Sequence, residues 1–149
     1  MSGEAATTPL TGGAAAGPVS AAHFILCVAD QERACRCFYA AALGIEPRLH
    51  APGMTEFALA GGAVLGLMPA AGIAALLGPA LPDPHAGAGV PRAELYLLVE
   101  NPAACHARAL AAGARELAPL RPRDWGHEAA YALDPDGHVL AFAAEMNRA

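Results

Sequence analysis

Two side chains stand out as able to move a proton or hold an ion together, His23 and Glu94. Each begins a short apolar strand pattern, His23-Phe-Ile-Leu-Cys-Val-Ala-Asp30 and Glu94-Leu-Tyr-Leu-Leu-Val-Glu-Asn101. An imidazole beside a carboxylate is a general acid–base pair or a ligand anchor, because the acid orients the ring and the ring meets the substrate. Strand alternation places Cys27 with His23 and Tyr96 with Glu94. Met68, Tyr96, Trp125 and Tyr131 are candidates to line a cavity for a flat or apolar ligand. Arg48 offers a guanidinium to an anionic group, which it forks well. Glu56, in Met-Thr-Glu-Phe, reads as either a solvent-facing strand residue or a cleft carboxylate. His106 and Arg108 read as solvated residues on a helix exterior, and Asp134 and Asp136 as turn formers.

Other chemistries are excluded. All nine basic residues are Arg, so lysine nucleophiles and Schiff bases are absent. No Ser-His-Asp constellation, nucleophile elbow or phosphate loop occurs. The four cysteines, at 27, 35, 37 and 105, have neither zinc-ribbon nor redox C-x-x-C spacing and read as thiols in a reducing compartment. A net charge of −5 argues against nucleic acid and anionic membranes.

The elements that must position these residues repeat. Asp30 and Asn101 each cap an Ala-rich helix, over about 31–43 and 102–112, with Pro102 at the first helical position. Gly44 and Gly113 stop the two helices. Phe57-Ala-Leu-Ala-Gly-Gly62-Ala-Val-Leu-Gly-Leu67 aligns with Ala132-Leu-Asp-Pro-Asp-Gly137-His-Val-Leu-Ala-Phe142, with the turn glycines in register. Each half therefore reads β-α-β-β-β. Strands are expected near 23–29, 46–50, 54–60 and 63–68, then near 93–99, 116–121, 128–133 and 138–144. Phe24, Leu26 and Val28 and their partners Leu95, Leu97 and Val99 should lie under the helices. The uncharged stretch from Phe57 to Pro82 is broken by glycines and prolines and reads as strands, loop and a short helix at 73–77 rather than a membrane span. Residues 1–20 lack the basic and Leu-rich regions of a secretory signal and read as a disordered tail. Residues 21–149 read as one domain of two modules, about 21–69 and 92–145, joined by a linker at 70–91. The expected location is the cytoplasm.

The motifs His23-x4-Val28-x-Asp30, Phe38-Tyr39-x3-Leu43-Gly44, Met54-Thr-Glu-Phe57, Val64-Leu-Gly-Leu-Met-Pro69, Trp125-Gly126 and Asp134-Pro-Asp-Gly137-His-Val cover about 23–144. With this spacing around the repeat, the chain resembles the vicinal-oxygen-chelate superfamily of glyoxalases, extradiol dioxygenases and bleomycin-resistance proteins. The resemblance implies an α+β fold of two βαβββ modules forming a cupped mixed sheet, and a homodimer. It implies four metal-ligand positions, which fall here on His23, Gly66, Glu94 and Ala141. Two of the four carry no donor, and small side chains there are expected to widen the cleft. The expected function is binding or sequestering of a small molecule, with no cofactor and no nucleic-acid or membrane partner. The alternative is a glyoxalase-like lyase or isomerase, or a dioxygenase, in which His23 and Glu94 hold a divalent metal with a third ligand such as Glu56 or His127.

Overall fold

The computed structural model describes residues 16–146; most of the expected tail, residues 1–15, lies outside them. The first half forms β1 (His23–Val28), a helix that is π-wound over Arg33–Tyr39 and continues as α1 (Ala40–Leu43), then β2 (Leu49–Ala51), β3 (Met54–Ala58) and β4 (Val64–Pro69). After α2 (Ala70–Leu77) and two short 3-10 turns, the second half forms β5 (Glu94–Leu98), α3 (Pro102–Ala111), β6 (Arg115–Pro122), β7 (His127–Leu133) and β8 (Val139–Glu145). The result is two four-stranded mixed sheets, ordered β1-β4-β3-β2 and β5-β8-β7-β6. In each, the first strand runs parallel to the last, and the other pairings are antiparallel. Among the described residues no helix is long and apolar enough to cross a membrane.

Local chemistry sets the helix ends. The Asp30 Oδ1 accepts from the Arg33 N–H at 3.0 Å, and the Asn101 Oδ1 from the Ala104 N–H at 3.1 Å, each satisfying a donor that a helix start leaves without an internal partner. The wider π winding, unexpected from the pattern, turns both Phe38 and Tyr39 inward. Their rings pack edge to face with centroids 4.8 Å apart.

The core is shared between the halves. Leu26, Val28, Phe57, Leu65 and Leu67 meet Phe38 and Tyr39 from one half and Ala109, Leu140 and Phe142 from the other. Leu95, Leu97 and Val99 pack against this cluster. Phe24 is the exception to the expected facing, being 65% exposed. It shares a row with Leu65 and Phe57, but β1 has no paired strand on its outer side, so the row ends there at solvent. Likewise the outward reading of His106 is corrected: the ring is 6% exposed and its Nε2 lies 2.8 Å from the Glu116 carboxylate. α3 packs on β7 and β8 with β6 at the sheet edge, so this ring lies between helix and sheet. Arg108 is not merely solvated either, because it donates to the Ala42 and Leu43 carbonyls at 3.0 and 3.1 Å and so ties α3 to the end of α1.

The turn between β7 and β8 is more than a turn. The Asp134 carboxylate is buried, accepting from the Tyr39 hydroxyl at 2.5 Å and from the His138 N–H at 2.8 Å, with the His138 Nδ1 at 3.1 Å. Burial pushes the Asp134 carboxyl up, but the bonds from His138 and Tyr39 outweigh it and hold the group below its ordinary range. Burial, followed by the Asp134 charge, pushes the Tyr39 hydroxyl well above its usual range. Asp136 reaches across to accept the Ala29 N–H at 2.8 Å. Gly137 closes this turn at φ +92°, where a Cβ would sit 2.7 Å from the Gly89 carbonyl carbon, so a side chain is excluded both by strain and by the linker backbone.

Candidate functional site

The face of each sheet away from the core carries the candidate groups, and register fixes their neighbours. On the first sheet Ile25, Gly66 and Glu56 form one row, with Cys27 beside Met68 one row along. The His23 Nδ1 lies 3.5 Å from a Glu56 oxygen, and Arg48 grips the other Glu56 oxygen through its Nε at 2.9 Å and Nη2 at 2.8 Å. Glu56 is thus a cleft carboxylate held between an imidazole and a guanidinium. Arg48 is engaged internally. Glu94 forms no ion pair with His23, and the expected pairing is replaced by His23 with Glu56. Glu94 lines a small cavity of about 100 Å³ at the seam between β1 and β5, with Phe24, Ile25, Leu95 and His138. That is below the roughly 300 Å³ at which pockets begin to hold drug-sized ligands.

The second sheet carries an aromatic cluster. Tyr96, Ala141 and Tyr131 form one row across β5, β8 and β7. The Trp125 Nε1–H donates to the Tyr96 hydroxyl oxygen at 2.9 Å, and that hydroxyl lies 2.7 Å from the His127 Nδ1. The Tyr96 and His127 rings stack at 5.8 Å. The Tyr96 hydroxyl has one proton and two acceptor sites, so it can accept from the indole and still exchange a hydrogen bond with the His127 Nδ1 in either tautomer of the ring. The Arg123 guanidinium covers one face of Tyr131 at 5.2 Å and donates to the Pro119 and Ala129 carbonyls. Partial burial and then the nearby Glu94 charge push the Tyr131 hydroxyl up. Trp125 itself remains 54% exposed. Thus Tyr96 and Trp125 meet directly, with Tyr131 in the same row as Tyr96. His127, read from the sequence as a possible third metal ligand, stands on this face because it shares parity with Tyr131 along β7.

The residues do not fit a resident metal. Among the described residues no group of three or more His, Cys, Asp or Glu side chains could hold an ion. Gly66 does not widen the cleft as expected: a Cβ there would meet the Ile25 Cγ1 at 2.9 Å and the Met54 Sδ at 3.5 Å, so apolar side chains fill the space of a donor. Ala141 is fully buried. A catalytic zinc-type site needs about three protein ligands and an open position.

The two mixed sheets, their paired first and last strands and the turn motifs define a glyoxalase-like fold. The chain belongs to the glyoxalase/bleomycin resistance protein/dioxygenase superfamily, whose family model matches residues 20–142. A glyoxalase-related enzyme from Fulvimarina pelagi is 25% identical, with a TM-score of 0.68 over 83% of this chain and 86% of that one. Protein ATC0852 from Agrobacterium tumefaciens is 29% identical, with a TM-score of 0.63 over 84% and 96%. A glyoxalase/bleomycin resistance protein/dioxygenase from Nocardioides, 21% identical with a TM-score of 0.68 over 91% and 89%, shares the fold. No curated protein matches the chain.

Proposed function

We propose that the protein binds a small, flat organic molecule on the outer face of its second sheet, without a resident metal. The observation that carries this reading is the Trp125–Tyr96–His127 hydrogen-bonded cluster, beside Tyr131 and over Ala141. The internal bonds fix the rings in place before a ligand arrives, which lowers the ordering cost of binding. Exposed aromatic faces supply stacking, and the His127 Nε2 and the Glu94 carboxylate supply polar recognition. On the first sheet His23, held against Glu56, faces the same ligand from a second copy of the chain. Ile25, Leu49 and Leu98, between 42% and 61% exposed, support such a homodimer, since exposed apolar sheet faces are usually covered by a partner.

The chain has a single tryptophan, so its fluorescence reports this site alone. Titration with a panel of planar aromatic compounds in the presence of a chelator should quench Trp125 saturably, and Tyr96→Phe should weaken the best ligand by about tenfold through loss of the indole acceptor. A stoichiometric bound transition metal, or Trp125 emission indifferent to the whole panel, would overturn the reading.

A further inference from the structure

The duplicated halves contain a second pair of matching places. Where the turn of one half meets the helix of the other, each junction forms an open pocket of about 270 Å³. In the first, Pro135 and Asp136 face Ala34 and Cys37 of the helix that becomes α1. In the second, Ala60 faces Cys105 and Arg108 of α3. Aligned by the repeat, Ala60 stands for Pro135, Gly61 for Asp136 and Leu59 for Asp134, while Cys105 stands for Ala34 and Arg108 for Cys37.

The substitutions change the chemistry of the place. The first cavity carries its own carboxylates, Asp30 and Asp136, opposite Arg33. The second is walled by Leu43, Ile45, Leu59, Leu97, Val99 and Phe142 and contains no acidic residue. Its one charged group is Arg108, which forms no ion pair among the described residues. The Arg108 Nε and Nη2 are committed to the Ala42 and Leu43 carbonyls. Asp136 accepts the Ala29 N–H in the first junction, and Gly61 offers no such acceptor in the second.

We propose that this second cavity is a binding site for a small organic monocarboxylate, its apolar body against Leu59, Leu97 and Val99 and its carboxylate toward Arg108. Charge complementarity selects the head group, because Arg108 is exposed and carries the one charge of this lining, and its Nη1 is the donor not given to the α1 carbonyls. The size, just under the range of drug-sized pockets, selects a short chain or a single ring. This site is separate from the aromatic cluster.

Octanoate, octanol and octylamine are titrated into the ¹⁵N-labelled full chain at neutral pH. Octanoate should shift the amides of Leu59, Leu97, Val99 and Cys105 and bind at least about fivefold more tightly than octanol, with octylamine weakest. It should also slow alkylation of half-buried Cys105 while leaving exposed Cys37 unprotected, as peptide mapping would show. Arg108→Gln should erase the preference for octanoate over octanol. Ala60→Trp, at an exposed rim position that leaves the Arg108 bonds intact, should weaken octanoate about tenfold. Equal binding of octanoate and octanol by the unaltered chain, or shifts confined to other residues, would overturn the proposal.

Discussion

The turn at Asp134–Gly137 and its counterpart at Leu59–Gly62 occupy matching places in two copies of one unit, yet they hold the molecule together by different means. The first sends a buried carboxylate to Tyr39 and a second carboxylate to the Ala29 N–H, so it is a polar clasp between the halves. The second has Leu59 against the shared core and two glycines at positive φ, and the polar tie between helices comes from Arg108. A duplicated fold thus keeps its backbone while exchanging polar for apolar contacts at one junction, because the register of the strands depends on neither.

Mutations at matching positions separate these roles. The largest effect is expected for Asp134→Ala, which leaves the Tyr39 hydroxyl and the His138 ring buried without their acceptor. Breaking such a buried set by removing one partner costs about 3–5 kcal/mol, whereas Leu59→Ala, which only trims partly buried apolar surface, should cost about 1–2 kcal/mol. Urea midpoints would measure both, and equal losses would show that the clasp contributes nothing special.

Tyr39→Phe comes next, at about 1–2 kcal/mol at neutral pH, and it also changes the pH response. A raised Tyr39 group stabilises the fold at neutral pH, and this is lost as pH rises above about 10, the unfolded value. The alkaline fall in urea midpoint should therefore be shallower in Tyr39→Phe. Asp134 acts in the opposite direction, since its depressed group stabilises the fold above about pH 4 and the benefit vanishes as pH falls through the folded value. The smallest effect belongs to the other junction. Arg108→Ala should cost about 1 kcal/mol, because its bonds to the Ala42 and Leu43 carbonyls are partly solvated, and it should leave both pH slopes unchanged.

How far the sequence could be read depended on range. Alternation and capping residues placed the strands and helices to within a few residues, since strand facing and helix starts are set by neighbours along the chain. The paired glycines located both hairpins. Long-range facts were less visible. His106 reads outward by helical position, but its buried ring meets Glu116 of β6. Gly66 looked like free space, but Ile25 folds across it. His23 was matched with Glu94 by the repeat, whereas β3 brings Glu56 nearer. In each case the neighbour belongs to another element of the fold, and residue spacing carries no record of its arrival.

Two copies of a strand-helix-hairpin unit, their facing and their turns were written in local pattern, because propensity, capping and positive-φ glycines act over a few residues. The union of Trp125, Tyr96 and His127, the Tyr39–Asp134–His138 clasp and the contrast between the two junction cavities came from packing. They join residues far apart in the chain, and only the cost of leaving buried polar groups unpaired and apolar surface wet selects which of them meet.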